Sequence, residues 1–229
     1  MKKVLYFFLG VIGLLSLIAS VAATQVTHEA LMHEGFLQFA QTGHLDVPAS
    51  RYGAYAHAIV RYLDDKTDEI TVPDAQDASK TVQAFSDKEN THMQDVRQIV
   101  RALKWVLWIG GGGTVLVAGL LYFLKRSERA LFLRRLVRGF AAAAMALLFL
   151  AACLGVWGAV NFQGLFWFFH QAVFSNDLWL LNPQTDLLMA LMPLPFFTWY
   201  ALQILKALLP ILGLMLLLIF AYYRTKERA

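Results

Sequence analysis

The chain has 229 residues, of which 58% are apolar, 14% aromatic and only 16% charged, with a mean hydropathy of +0.52. This composition is too apolar for an ordinary soluble domain and indicates several membrane spans. The basic residues behind the formal net charge of +4 mostly flank apolar segments, so the charge requires no nucleic-acid partner.

A membrane-spanning helix needs about 20 mainly apolar residues. We predict four such helices, at residues 1–23, 105–124, 140–160 and 199–223. The first also resembles a secretory signal peptide, but its apolar run is longer than most signal-peptide cores, which favours a retained helix. The glycine run Gly110–Gly113 in the second span predicts a close helix contact or a bend. Lys206 and Pro210 interrupt the fourth span.

The charges orient these spans. The chain start, the link 125–139 and the tail 224–229 together hold 11 of the 20 basic residues and two of the 16 acidic ones. Residues 24–104 hold eight basic and 12 acidic residues. Because basic residues concentrate on the cytoplasmic side, both termini and the link are predicted to be cytoplasmic. Residues 24–104 and 161–198 are then predicted to lie outside the cell membrane.

Residues 24–104 are predicted to form a small helical domain on the outer face. A helix near residues 25–41 is followed by a second whose apolar face carries Tyr55, Ile59 and Leu63. Residues 64–84 are acidic and predict a loop with a short extended piece. The predicted fold class is therefore an all-α integral membrane protein with four transmembrane helices and this domain between helices 1 and 2.

A third outer helix is predicted to begin at Ser86. Ser86 and Glu89 have the spacing of a capping box, in which a serine and a glutamate satisfy each other's backbone N–H groups. The helix can run into the second span, or bend near Trp105. His92 and Asp95 share one of its faces because they are three residues apart.

Five of the six histidines lie in residues 24–104, and four of these are predicted to be solvated or hydrogen-bonded structural residues: His28, His33, His44 and His57. His170 differs because it follows the aromatic run Phe166–Phe169. Partial desolvation there favours a neutral imidazole, which can accept a proton as a general base. An anchoring role in an interfacial aromatic belt beside Trp167 and Trp179 explains His170 equally well.

The polar residues after His170 favour a functional site. Asn176, Asp177, Asn182 and Asp186 interrupt the otherwise apolar segment 161–198, which we predict to be an outer aromatic loop with a half-helix. Irregular backbone at membrane depth is tolerated only where protein or a watered cavity satisfies it. The segment therefore predicts a pocket that opens to the outer leaflet and suits acyl chains.

Two blocks of residues carry a distinctive pattern: Phe85-Ser86-Asp87-Lys88-Glu89 with His92-Met93-Gln94-Asp95-Val96, and Asn161-Phe162, His170, Phe174, Asn176, Trp179, Leu181, Pro183, Asp186 and Pro193 through Phe197. Together with the order of four spans and an outer segment, these residues resemble the bacterial lipoprotein intramolecular transacylases. Most of residues 24–84 carries no matching pattern.

The resemblance implies an acyltransferase whose substrate is a diacylated lipoprotein in the membrane. It implies movement of an acyl chain from the sn-2 ester of the diacylglyceryl-cysteine to the protein's own N-terminal amine, giving the lyso form. His92 and His170 match the family's catalytic histidines; no metal or other cofactor is implied. Asp95 could orient His92, while Asn176 could stabilise an oxyanion and Trp179 could bind substrate. Which histidine is the base, and whether an acyl-imidazole forms, is left open.

Two other classes of protein fit the same residues. The first is a metal-dependent membrane hydrolase with His92, Asp95 and His170 as ligands, although the chain lacks the HExxH spacing of such enzymes. The second is a non-catalytic membrane module that binds lipid or a protein partner. In the second case both histidines would tolerate replacement by alanine.

Overall fold

The computed structural model of the chain describes residues 2–227. Met1 and residues 228–229, which include Arg228 of the predicted cytoplasmic tail, lie outside the described residues. The helices are α1 (Lys2–Val26), α2 (Glu29–Phe39), α3 (Tyr52–Leu63), α4 (Asp87–Trp105), α5 (Gly112–Leu124), α6 (Arg129–Val173), α7 (Leu187–Leu191) and α8 (Leu194–Glu227). Short 3₁₀ turns occupy Gly43–Leu45, Ala49–Arg51 and Arg126–Glu128, and a π-helical segment occupies Val106–Gly111.

Four helical segments are long and apolar enough to cross a membrane: Val4–Val26, Asp87–Leu124, Arg126–Val173 and Leu194–Arg224. This confirms the predicted fold class of a helical membrane protein with four spans. The segments extend beyond the apolar runs because polar residues at each end continue the helix. In particular, α6 begins inside the predicted link 125–139 and ends well inside the predicted outer loop 161–198.

The chain divides into two compact units. The first, here called the apolar unit, contains residues 1–22, 103–160 and 205–229. The second, here called the site unit, contains residues 23–102 and 161–204. All candidate site residues from the sequence belong to the site unit.

Within the apolar unit, a glycine allows α1 to approach the π-helical segment. Ser16 Oγ lies 2.8 Å from the Ile12 carbonyl oxygen and 3.0 Å from that of Val106. A Cβ atom added at Gly110 would lie only 2.6 Å from Ser16 Oγ. The predicted close contact is thus confirmed at Gly110, whereas a Cβ at Gly112 or Gly113 would meet nothing within 4 Å.

The site unit has its own hydrophobic core, formed mainly by α2, α3, α7 and the start of α8. Tyr55, Ile59 and Leu63 are all buried in it, which confirms the predicted apolar face of α3. Phe36 and Leu191 are fully buried in the same core. Burial of such side chains contributes about 1.5–3 kcal/mol each relative to exposure, so this core fixes the elements that carry the site.

The acidic segment between α3 and α4 forms a β-hairpin, which agrees with the predicted loop with a short extended piece. Strands β1 (Thr71–Pro73) and β2 (Thr81–Gln83) pair antiparallel, with Val72 opposite Val82. Asp74 accepts hydrogen bonds from the backbone N–H groups of Gln76 and Asp77. Carboxylates that accept such bonds favour turns, which explains why an acidic stretch becomes the tip of a hairpin.

An ion cluster joins the end of α3 to the middle of α4. Asp65, in the left-handed region at φ 62°, accepts hydrogen bonds from Arg97 Nε at 2.7 Å and Arg101 Nε at 2.8 Å. Arg97 is buried and its guanidinium lies 4.5 Å from the centre of the Tyr62 ring. Hydrogen bonds from Arg101 and then from Arg97 lower the pKa of Asp65 below its ordinary value.

We expect Asp65→Asn to lower the free energy of unfolding by about 1 kcal/mol at neutral pH, a small figure because Asp65 is partly exposed to solvent. A carboxyl whose pKa is lowered by folding stabilises the protein above its unfolded pKa of ~3.9. That contribution disappears as the pH falls through the folded pKa. Thermal unfolding in detergent should therefore show wild type and variant differing at pH 7 and converging near pH 2.

The matched control is Asp68→Asn, because the Asp68 carboxylate is fully exposed and lies 3.7 Å from Arg97. This variant should unfold like the wild type at every pH. An equal loss of stability in both variants would mean that the cluster acts through net charge rather than through the bonds of Asp65.

Candidate active site

His92 is placed by the start of α4. Ser86 precedes the helix; its backbone N–H donates to Glu89 Oε2 at 2.9 Å, and the Glu89 N–H lies 3.5 Å from Ser86 Oγ. The predicted capping box is therefore confirmed. His92 follows one turn later and is only 7% exposed.

His170 is placed by the last turns of α6. The helix is interrupted at Asn161 (φ −151°, ψ 78°), whose Oδ1 accepts a hydrogen bond from the Gly164 N–H at 2.8 Å and caps the turns that follow. His170 is 8% exposed, and its Nδ1 lies 2.7 Å from the Phe166 carbonyl oxygen. Because a carbonyl oxygen only accepts, Nδ1 carries the proton, and in the neutral ring Nε2 is the acceptor.

The two imidazoles are neighbours. Their ring centres are 6.3 Å apart with an angle of 33° between the planes. The Phe174 ring lies beside both, 5.1 Å from His92 and 5.4 Å from His170. Residues that are 78 positions apart in the chain thus come together in one aromatic cluster.

Aromatic rings line the His170 side of this cluster. Phe166 lies 4.0 Å and Trp179 5.1 Å from the imidazole, measured between ring centres. Trp179 is itself buried and contacts Trp167 edge to face. Such a setting supplies few hydrogen bonds: His92 Nδ1 is buried and has no partner among residues 2–227.

Asp95 and Asn176 form a polar pair beside the histidines. Asn176 Nδ2 donates to Asp95 Oδ2 at 2.9 Å, and the Leu178 backbone N–H donates to Asn176 Oδ1 at 3.0 Å. The amide orientation is therefore fixed by its two bonds. We expected Asp95 to hold the imidazole of His92, but in the described part of the chain its hydrogen-bond partner is Asn176.

Three of the other histidines make structural hydrogen bonds, as predicted. His28 caps α2 by accepting from the Leu31 N–H at 3.1 Å. His57 Nδ1 lies 2.9 Å from a carboxylate oxygen of Glu29. His44 Nε2 lies 2.9 Å from the Pro183 carbonyl oxygen. None of these three contacts involves His92 or His170.

Sequence reasoning missed three contacts of this site. The Phe166 carbonyl that fixes the His170 tautomer could have been found, since it lies one helical turn before the histidine. Phe174 is among the residues of the family resemblance, but no local signal indicated that its ring contacts both imidazoles. The third is the bond from the Leu188 N–H to Oε1 of the capping-box residue Glu89, at 2.6 Å, which links α4 to α7; Glu89 is only 3% exposed.

The residues proposed as metal ligands by the rival hypothesis do not gather into a site of that kind. Across residues 2–227, no three His, Cys, Asp or Glu side chains lie close enough together to hold a metal ion. Asp95, one of the three proposed ligands, instead accepts a hydrogen bond from Asn176.

Four spanning helices and a buried histidine pair define a multi-pass helical membrane protein with a candidate acid–base site. The model of the lipoprotein intramolecular transacylase Lit family matches residues 4–197. The chain therefore belongs to this family and is an acyltransferase, a lipoprotein intramolecular transacylase. This confirms the family resemblance read from the sequence.

Solved structures agree in fold. The lipoprotein intramolecular transacylase Lit from Bacillus cereus aligns with a TM-score of 0.65 at 23% identity, covering 99% of this chain and 96% of that one. A variant of the same protein with a histidine replaced by alanine aligns with a TM-score of 0.68 at 20% identity, covering 100% and 96%. No curated protein sequence matches the chain.

Proposed function

We propose that this transacylase moves an acyl chain from the sn-2 ester of a diacylglyceryl-cysteine lipoprotein to that lipoprotein's own N-terminal α-amine, giving the lyso form. The observation that carries the proposal is the imidazole pair, 6.3 Å apart, in which His170 Nε2 is left as an acceptor. Ester and amine belong to one molecule, so holding them together replaces a bimolecular encounter by an effectively unimolecular step.

His170 acts as the general base in this proposal. Its Nδ1–H is engaged by the Phe166 carbonyl, which leaves Nε2 to take a proton from the substrate amine. The aromatic surroundings disfavour a charged ring and so support a neutral imidazole. A free α-amine has a pKa of about 7.7–8.0, which an imidazole can deprotonate at modest cost.

The transfer needs one bond made and one broken. The deprotonated amine nitrogen attacks the sn-2 carbonyl carbon, forming the C–N bond and a tetrahedral oxyanion. The attacking nitrogen then gives its second proton to His170, which has passed the first one to solvent. Collapse of the oxyanion breaks the bond to the sn-2 oxygen, which takes this second proton from His170, so one proton leaves to solvent overall. The products are an N-acyl amide and a free sn-2 hydroxyl, so the number of acyl chains is unchanged.

His92 stabilises the oxyanion in the same proposal. Its buried Nδ1 has no partner in the described residues, and an imidazole N–H without a partner is a donor for a developing negative charge. Asp95 and Asn176 orient the substrate through their fixed hydrogen bond, and Trp179 packs on His170 and holds the ring in place.

The test is mass spectrometry of a synthetic diacylated lipopeptide incubated with purified protein. We expect the acyl group to appear on the amine while the total acyl count stays at two. The matched control is the same lipopeptide with its amine acetylated, which should remain unchanged. An acyl-imidazole route would add the mass of one acyl chain to the protein, and direct transfer would not. Hydrolysis to a monoacyl product without N-acylation would overturn the proposal.

We further propose that the protein lies in the bacterial cytoplasmic membrane with the imidazole pair at the outer face. The support is the distribution of basic residues, which are concentrated in the chain start, the link and the tail. An engineered Lys88→Cys should react with an impermeant thiol reagent in intact spheroplasts, with Cys153 replaced to avoid background. Labelling only after the membrane is opened would reverse this orientation.

A further inference from the structure

An open groove of about 370 Å³ shares the Phe174 side chain with the histidine cluster, and neither imidazole is among its lining residues. It lies between one face of α4 and the segment that follows α6. Its polar lining includes Asp95, Ser175 and Asn176, and its apolar lining includes Ile99, Ala102 and Val173. Phe174 lines the groove and also contacts both imidazoles, so it is a wall common to the groove and the histidine cluster.

The lining changes character along α4. Asp95 and Gln98 lie towards one end, and Ile99 and Ala102 follow on the same helical face, over a rise of ~10 Å from Asp95 to Ala102. The groove therefore presents a carboxylate and an amide first and two apolar side chains afterwards. A ligand that matches both is an amphiphile with a cationic head and a hydrocarbon tail.

The carboxylate of Asp95 is oriented but not neutralised. One oxygen accepts from Asn176, whose amide is in turn fixed by the Leu178 N–H. The other oxygen makes no hydrogen bond or ion pair within residues 2–227, and no Lys or Arg lines the groove. A carboxylate held in one direction beside apolar surface favours a cation that can donate hydrogen bonds.

We propose that this groove binds the N-terminal α-ammonium of the diacylated lipoprotein at Asp95, with the start of one acyl chain along Ile99 and Ala102. The inference rests on the proposed function, because it identifies the site that binds the substrate's charged amine before His170 removes a proton from it. Asp95 is then a binding residue for the charged amine, and His92 and His170 act on the neutral one.

The test measures binding rather than turnover. The protein is placed in nanodiscs of phosphatidylcholine and phosphatidylglycerol, and the probes are a fluorescent diacylglyceryl-cysteinyl peptide with a free amine and its N-acetylated form. At pH 6.5, where the free amine is charged, wild type should bind the free-amine peptide about tenfold more tightly. Asp95→Asn should remove this preference and leave the affinity for the acetylated peptide unchanged.

The matched control is Asp87→Asn, because Asp87 is an exposed carboxylate on α4 that does not line the groove. This variant should keep the tenfold preference. Ile99→Ala shortens the apolar wall and should weaken the binding of both peptides by the same factor.

Three results would overturn the inference. The first is that Asp95→Asn still binds the free-amine peptide more tightly than the acetylated one. The second is that wild type binds both peptides equally while still converting the lipopeptide, which would leave the proposed function intact. Alternatively, phosphatidylethanolamine added to the nanodiscs could displace the free-amine peptide with equal affinity, which would show that the groove recognises any ammonium lipid. Retained preference in a preparation that converts no lipopeptide would contradict the proposed function instead.

Discussion

Replacing either His92 or His170 by alanine is expected to lower the rate of acyl transfer by at least about 100-fold, the lower end of what general acid–base catalysis contributes. If both imidazoles act in one transition state, the double variant should be scarcely slower than either single variant, because residues acting as a unit are not additive. Rates are measured by mass spectrometry of the lipopeptide. Losses that multiply in the double variant would mean that the histidines act in separate steps.

The two histidines are buried, so the effect of a substitution on folding must be distinguished from its effect on catalysis. His92→Gln and His170→Gln keep most of the side-chain volume and should retain the thermal unfolding midpoint while remaining inactive. His57→Ala is the matched control, because His57 is exposed and its ring contacts the carboxylate of Glu29 rather than His92 or His170; it should react like wild type. Asp95→Asn should fall between these extremes, since it alters substrate placement and leaves both imidazoles. An active His170→Ala variant would exclude His170 as the base.

The second large effect is expected at Glu89. Its carboxylate accepts three hydrogen bonds, from the Ser86 N–H at 2.9 Å, the Ser86 hydroxyl at 2.7 Å and the Leu188 N–H at 2.6 Å. Glu89→Ala leaves the Leu188 N–H unpaired in a buried position and removes the carboxylate partner of the partly buried Ser86 N–H. We expect a loss of about 3 kcal/mol in the free energy of unfolding, measured by denaturation in detergent.

Glu89→Gln distinguishes the shape of the side chain from its two acceptor oxygens. A glutamine can keep one acceptor, but its amide NH₂ must then face a donor, so we expect about half the loss of the alanine variant. Asp87→Ala is the matched control, because Asp87 is an exposed acid in the same turn of α4. Glu89→Ala unfolding like Asp87→Ala would show that the link between α4 and α7 contributes little.

Glu89 also connects stability to function. It lies one turn before His92 on α4 and is bonded to α7, which follows the segment bearing Asn176 and Trp179. Loosening this link should lower activity at temperatures where the variant is still folded. Activity of Glu89→Gln measured well below its unfolding midpoint therefore reports on placement of the site.

Patterns that act over one or two helical turns could be predicted from the sequence. The four spans follow from apolar length, the face of α3 from helical periodicity, and the capping box from the spacing of Ser86 and Glu89. The structural role of His28 followed in the same way, since a cap needs only its own helix. The family resemblance also rested on local residue order.

Only the tertiary structure decided the contacts between distant segments. No local pattern indicates that Asn176 bonds to Asp95 and not to water, or that Glu89 accepts from Leu188, because these partners are 81 and 99 residues apart. Likewise, the segment 64–84 forms a hairpin because the Asp74 carboxylate accepts a backbone hydrogen bond in the turn and Val72 is buried in the hydrophobic core. The 6.3 Å between the imidazoles depends on all of these contacts, since hydrophobic burial is non-directional and buried hydrogen bonds fix the final geometry.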